Sequence, residues 1–343
     1  MSMNKMSMNK INLRKLSGAW LPVAAQVYSG LILVWLLLRA VLWDAYWPIA
    51  IVNTAAFYCF VPLVLLLIPV VVSRHKQALG SLLIPGMAFL LFWGILLVPT
   101  SPAKRTSFSL RIMTFNVLVS NTASDKLTSS IKAEEPDVIG FQELGSVTIA
   151  ALRSQLGNEY PYDTFDEFEP RGVGLMSRFP ITAVAKFPFP PKDLALHALI
   201  DWDGQPVHVF VVHLSANNIF DNSLISLPQL VQERYTQRAD QVTRLQEQLA
   251  EIMEPVVLLC DCNFTDTSEA YGRLNSRLND SYRRPGWGPG HTLYTKGIPF
   301  RVQRVDYIWH SPHFVSRASH VGQDGGSDHR PVISTLSLLE VNP

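Results

Sequence analysis
Six short apolar runs in the second part of the sequence end beside side chains that can bind a metal ion or move a proton. Asn116 follows Met113-Thr114-Phe115. Gln142 and Glu143 follow Val138-Ile139-Gly140-Phe141, and His213 follows Val209-Phe210-Val211-Val212. Asp261 and Asn263 close the run that starts at Val256; two residues apart, they share one face of a strand. Asp306 sits within Val305-Asp306-Tyr307-Ile308, and Ser327-Asp328-His329 precedes a last apolar run. Carboxylates and amides offer oxygen ligands to hard cations, and imidazoles exchange protons near neutral pH. Polar groups at successive strand ends converge on one site in α/β sheets. Each residue also has a plainer reading. Glu143 at a strand end reads equally as a solvated acid, Asp261 as a turn former, and Asp306 as an ion-pair partner of Arg304 or Arg301. His208 falls on the opposite strand face from His213 and reads as structural, and His291, His310, His313 and His320 read as surface or structural.

The elements that must position these groups alternate between strand-like and helix-like patterns. Ser109–Val117, Asp137–Glu143, Val173–Ser177, Ala195–Asp201, Val207–Leu214, Val256–Cys260, Arg301–Trp309 and Pro331–Leu338 read as strands, and Ser124–Glu135 and Gln229–Met253 as helices. The class is α/β or α+β, and residues 107–343 are long enough to bury a core of their own.

Taken in order, Thr114-Phe115-Asn116-Val117, Phe141-Gln142-Glu143, Val212-His213-Leu214, Asp261-Cys262-Asn263, Val305-Asp306-Tyr307-Ile308 and Ser327-Asp328-His329 resemble the endonuclease/exonuclease/phosphatase superfamily of deoxyribonuclease-like phosphoesterases. The likeness runs from about Leu110 to Leu338 and extends to Gly172–Arg178 and to Arg238 with Gln241. Cys260 stands where the family usually has Gly, Cys262 where it has Phe, and Val212 where it has Thr; none of these removes a catalytic group. The resemblance implies a four-layer sandwich, two mixed β-sheets face to face with helices outside. It also implies Mg²⁺ (or Mn²⁺) as cofactor, with Glu143 as the leading ligand, Asp328 as a second and Asn116 beside them. Asp261 would orient or deprotonate water, and Asn116 and Asn263 would contact phosphate. His213 and His329 would flank the phosphate, and Asp306 would fix the His329 tautomer. Arg178 is a further candidate for substrate binding.

The first 106 residues are of another kind. They carry nine Lys/Arg and a single acid, Asp44, for a net +8, whereas residues 107–343 carry twenty Lys/Arg and twenty-seven acids, for a net −7. Mean hydropathy is +0.15, and only 17% of residues are charged against about 25% in ordinary soluble domains. Leu16–Leu38, Ala45–Ser73 and Gln77–Ala103 lack charge, and each exceeds the roughly 20 residues that cross a bilayer as a helix. Three transmembrane helices are expected, at about residues 17–40, 47–72 and 78–99, in an anchor of residues 1–106. Lys5, Lys10, Arg14, Lys15, Arg74 and Lys76 outweigh Arg39, Lys104 and Arg105, which predicts a cytoplasmic N-terminus and an extracytoplasmic C-terminal domain. Cys59, Cys260 and Cys262 read as three buried free thiols.

The expected function is a membrane-anchored, metal-dependent phosphoesterase acting on a phosphodiester or phosphomonoester. The substrate would be a lipid headgroup, a nucleic acid or a small phosphate ester, with the lipid bilayer the other partner and no protein partner inferred. A membrane-bound nuclease is one alternative, though the −7 balance weighs against sequence-independent nucleic-acid binding. A catalytically silent membrane-tethered module is the other.

Overall fold
The computed structural model describes residues 13–98, 108–166, 172–191, 193–216, 226–295 and 297–339. It divides into two units: the described part of Met1–Leu42 with Ala55–Phe92, and Trp43–Thr54 with the described part of Trp93–Pro343. The helices of the N-terminal region are α1 (Leu13–Leu42), α2 (Trp47–Thr54), α3 (Val61–Ser73), α4 (Lys76–Ser81) and α5 (Leu83–Trp93). Three stretches, Trp20–Leu42, Ala56–Ser73 and Lys76–Leu97, are long and apolar enough to cross a membrane. The second is shorter than the charge-free run suggests. Trp47–Thr54 forms a separate short helix, a 3₁₀ turn covers Ala56–Phe60, and Pro62 stands at the start of α3, where its missing N–H costs nothing.

The second unit carries the strands β1 (Ser109–Asn116), β2 (Val138–Leu144), β3 (Tyr162–Phe165), β4 (Gly172–Ser177), β5 (Ile181–Phe189), β6 (Asp193–Trp202) and β7 (Gln205–His213). They are followed by β8 (Val256–Asp261), β9 (Asn279–Asp280), β10 (Leu293–Tyr294), β11 (Arg301–Gln303), β12 (Asp306–His310), β13 (Phe314–Val321) and β14 (Val332–Leu338). Its further helices are α6 (Ser124–Glu134), α7 (Ser146–Leu156), α8 (Leu227–Ala250) and α9 (Glu269–Asn275). One six-stranded sheet has the order β13-β14-β1-β2-β4-β3, the other β5-β6-β7-β8-β12-β9, and β10 pairs with β11 as a small ribbon.

Strand periodicity explains the layering. Ile112, Val138, Val209, Val211, Leu259 and Ile308 fall on the inner faces and pack sheet against sheet. Their neighbours Met113, Ile139 and Phe141 face α6 and α7 through Leu127, Ile131, Ile149 and Leu152. Phe210, Val212, Leu258 and Cys260 face α8 and α9 through Val242, Leu245 and Leu274. Because both faces of the central strands are covered, these strands read as continuous apolar runs. The four-layer sandwich of two mixed sheets is therefore present.

Candidate active site
Two parallel strand pairs bring the polar residues to one rim. β1 lies parallel to β2 with Asn116 opposite Gln142, and β7 lies parallel to β8 with His213 opposite Asp261. β12 runs antiparallel to β8 and so begins where β8 ends, with Asp306 opposite Asp261. β14 runs antiparallel to β1, which sets the Ser327-Asp328-His329 segment that leads into it at the same rim. The Ser327 hydroxyl donates to the Asn116 carbonyl at 2.8 Å and accepts from the His329 amide at 3.1 Å, tying that loop to β1.

The side chains meet across the two sheets. Asn116 Nδ2 donates to Glu143 Oε1 at 2.9 Å and to Asp261 Oδ2 at 2.7 Å. His213 Nε2 lies 3.4 Å from Asp261 Oδ2 and 3.9 Å from Glu143 Oε1. His329 Nδ1 lies 2.8 Å from Asp306 Oδ2, and its Nε2 is 3.9 Å from Asp261 Oδ2. Asp306 therefore pairs with His329; Arg304 instead binds Asp280, with Nη1 2.8 Å from Oδ2. Asn263 donates Nδ2 to the Leu214 carbonyl at 2.9 Å, so one of its amide hydrogens locks the two strand ends together. Among the described residues, His213 Nδ1 and Asp306 Oδ1 are buried without a hydrogen-bond partner.

Burial and neighbouring charge set the protonation of these groups. Burial alone would strip the proton from His329, but the Asp306 and Asp261 carboxylates outweigh it and push its pKa up to about 10. Burial raises the Asp261 pKa, with Asp306 adding to the rise and His329 and His213 opposing it. Asp328 is also raised, first by burial, then by Glu143 and Asp261, against His329. Glu143, His213 and Asp261 each present a ligand atom within 4.8 Å of the others, as do Asp261, Asp306 and His329. A set dominated by carboxylate oxygen, with an amide beside it, suits a hard divalent cation.

Glu143 reaches this cluster through a local irregularity. Phe141 pairs with Gly174 but Leu144 with Gly172, so β2 carries an extra residue there, and Glu143 has φ 55°. Strict alternation would send Glu143 toward the helix layer with Phe141; the bulge turns it toward Asn116 instead.

Two expectations need correction. Arg178 does not join the site: it follows β4, which runs antiparallel to β2, and so stands beside Asp137 at the start of β2, 3.5 Å from its carboxylate and over the Tyr160 ring. Six residues of strand, about 20 Å, separate that end from Glu143. Cys260 and Cys262 are not free thiols but a disulfide with Cα atoms 5.1 Å apart. The bond is geometrically accessible because the two residues share one face and Cys262 lies just beyond the end of β8 at Asp261. Only Cys59 is free. His208 lies 2.8 Å from His197 between ring nitrogens.

Comparison with known proteins gives a consistent result. No curated protein matches the sequence. A crystal structure of an endonuclease/exonuclease/phosphatase from Beutenbergia cavernae DSM 12333 superposes with TM-score 0.54 and 23% identity, over 68% of this chain and 72% of that one. The human Nocturnin catalytic domain with bound sulfate anion matches with TM-score 0.53 and 21% identity, over 70% of this chain and 100% of that one. D. rerio TDP2 complexed with a single strand DNA product matches with TM-score 0.55 and 19% identity, over 67% and 99%. At these identities the structures establish the fold. The profile of the Endonuclease/Exonuclease/phosphatase family spans residues 113–329, from the middle of β1 to His329 and so across the whole rim just described. The chain belongs to that family, whose members hydrolyse phosphoester bonds.

Proposed function
We propose that this protein is a membrane-anchored phosphoesterase that uses a divalent metal ion, Mg²⁺ or Mn²⁺, to hydrolyse a phosphodiester or phosphomonoester. The observation that carries this reading is Asn116 Nδ2 bonded to both Glu143 and Asp261, with the His329–Asp306 pair opening onto the same carboxylate. Glu143, with Asp328 and Asn116 beside it, would hold the ion. Bound there, it neutralises phosphoryl charge and lowers the pKa of water. His329, kept as an imidazolium by Asp306, donates from Nε2 to a phosphoryl oxygen. Asp261 accepts a proton from the attacking water, with His213 beside it as the second acid–base group. The remaining amide hydrogen of Asn263 donates to the phosphate, while Asn116, whose two amide hydrogens go to Glu143 and Asp261, holds those carboxylates in place.

The anchor is the three long apolar helices. The excess of flanking Lys/Arg supports an N-terminus in the cytoplasm with the catalytic residues outside it, and the Cys260–Cys262 disulfide supports an oxidising compartment. The DNA product bound to the similar D. rerio TDP2 fold keeps a nuclease as the second reading, against which the net −7 of residues 107–343 weighs. A panel of nucleic acids, phospholipids and soluble phosphate esters, assayed with Mg²⁺ and with chelator, tests both. Metal-dependent turnover that is lost in Glu143→Ala and His329→Ala is expected. Turnover unchanged in those variants would sink the assignment of the site, and cleavage of lipid or small esters without any cleavage of DNA or RNA would remove the nuclease.

A further inference from the structure
Asp44, the sole acid of the first 106 residues, is buried within the same unit as the catalytic sheets. Its carboxylate accepts from Asn53 Nδ2 at 2.6 Å and from the Glu269 amide at 2.7 Å. Burial raises its pKa, while Asn53, the Glu269 amide and the Arg238 guanidinium favour its charged form. Arg238 is itself buried; burial lowers its pKa to about 10, and Asp44 opposes that drop.

Arg238 and Asn53 lead to the two chain exits from the catalytic rim. Arg238 Nη1 donates to the Ser215 carbonyl at 3.0 Å, and Gln241 Oε1 accepts from the Ser215 amide at 2.9 Å. Ser215 is two residues beyond His213, and the intervening Leu214 carbonyl is the acceptor of Asn263. The second exit is the loop after Asn263. There the Asn53 carbonyl accepts from Thr265 Oγ1 at 3.1 Å and from Thr267 Oγ1 at 2.6 Å. Trp93 Nε1 donates to Asp266 Oδ2 at 3.0 Å, and the Leu96 carbonyl accepts from the Gly288 amide at 2.8 Å. Nothing in phosphoester chemistry asks for this bracing.

We propose that Asp44 is a positioning residue for hydrolysis: the short segment 43–54 braces the strand ends that carry His213, Asp261 and Asn263, acting through Arg238 and through the Thr265–Thr267 loop. The catalytic domain is on this view completed by residues 43–54 and 93–97, and does not begin at residue 107. The inference rests on the phosphoesterase reading for its effect on rate, but not for the brace itself.

The test uses the full chain in detergent micelles, with bis(4-nitrophenyl) phosphate and Mg²⁺ as probe, and compares wild type, Asp44→Asn and the double variant Asp44→Asn/Arg238→Gln. Asp44→Asn removes the negative charge that offsets the burial of Arg238, whereas the double variant removes both charges and is the less damaged of the two. The expected result for Asp44→Asn is a kcat per folded molecule at least tenfold lower with KM within about twofold, and faster hydrogen exchange at residues 214–215 and 264–269. The double variant should recover part of the lost exchange protection. Wild-type kcat and exchange in Asp44→Asn would overturn the proposal, as would a loss that only tracks the unfolded fraction. If Asp44→Asn does not fold, the double variant decides: regained folding supports the charge pair, continued misfolding refutes it. If wild type itself is inert toward the probe, the phosphoesterase reading is in difficulty, and exchange alone still decides the brace.

Discussion

Glu143 is held in the left-handed region at φ 55°, a conformation that a side-chain-bearing residue adopts at a cost of about 1–3 kcal/mol. It also adds to the crowding of negative charge that raises the Asp328 pKa after burial has done so. Both costs make sense if the carboxylate is there for a cation. Glu143→Gly should therefore uncouple stability from activity. Metal-free Tm should rise by about 2–4 °C for each kcal/mol released in a domain of this size, while kcat falls by about 10³ or more. Differential scanning calorimetry beside a hydrolysis assay reads both, and a lower Tm would argue that Glu143 is structural. His329 gives a pH signature. Its folded pKa of about 10 stands above the 6.5 of a free imidazole, so its stabilising charge is fully present below pH 6.5 and is lost as pH climbs through 10. Urea titrations of metal-free protein should show stability falling from pH 7 to 10, with a shallower slope in His329→Gln; parallel slopes would show that another group is responsible. The residue types at the site were legible in the sequence, because each ends an apolar run. The aim of Glu143 was not, because a one-residue bulge defeats the alternation on which such a reading depends. Arg178 misled for the same kind of reason: a motif beside a strand does not say which end of the sheet it reaches.

The two sheets approach closely where β2 crosses β7 and β8. A Cβ at Gly140 would stand 2.6 Å from Leu259 Cδ1, 2.8 Å from Leu259 Cβ and 3.1 Å from Val211 Cγ2. These are inner-face residues of well-covered strands, with little room to yield. Gly140→Ala should cost about 1–3 kcal/mol by overpacking, and Gly140→Val more. Because Gly140 is three residues from Glu143, spreading the sheets should also lower kcat; full activity and an unchanged Tm in Gly140→Val would show that the interface can relax. The central strands were readable because they are apolar on both faces. β5 was not, since most of Ile181–Phe189 is exposed and it lies at the sheet edge. The single strand expected over Arg301–Trp309 is broken between β11 and β12, where Arg304 turns inward to Asp280 over the Tyr307 and Tyr282 rings. A buried arginine in mid-run carries no periodic signal, and its acidic partner, twenty-four residues away, is not marked in the sequence.

Taken whole, the molecule's topology follows from which segments fold together. Residues 43–54 share hydrogen bonds with the loop after Asn263, so both lie on one side of any bilayer the chain crosses. Between them run Ala56–Ser73 and Lys76–Leu97, both long and apolar enough to cross, and two crossings would return the chain to the side it left. On the proposed orientation, with both stretches crossing, the Arg74–Lys76 turn and the basic N-terminus would share the opposite side, and Lys5, Lys10, Arg14 and Lys15 favour the cytoplasm for that side. Arg39, Lys104 and Arg105 pull the other way, but they are three against six. The Cys260–Cys262 bond agrees, because a cytosolic thiol pool would keep such a pair reduced. A periplasm-type phosphatase reporter fused after Pro343 should therefore be active, and one inserted between Arg74 and Lys76 silent. A fluorescent reporter that folds only in the cytoplasm should give the reverse pattern. Mass spectrometry of the membrane-extracted chain, alkylated before reduction, should find Cys260 and Cys262 protected. Reporters at both positions reading the same side would break the two-crossing argument. Both signals inverted, with alkylated cysteines, would leave the fold intact and move the catalytic rim to the cytoplasm, where the substrate must then be sought.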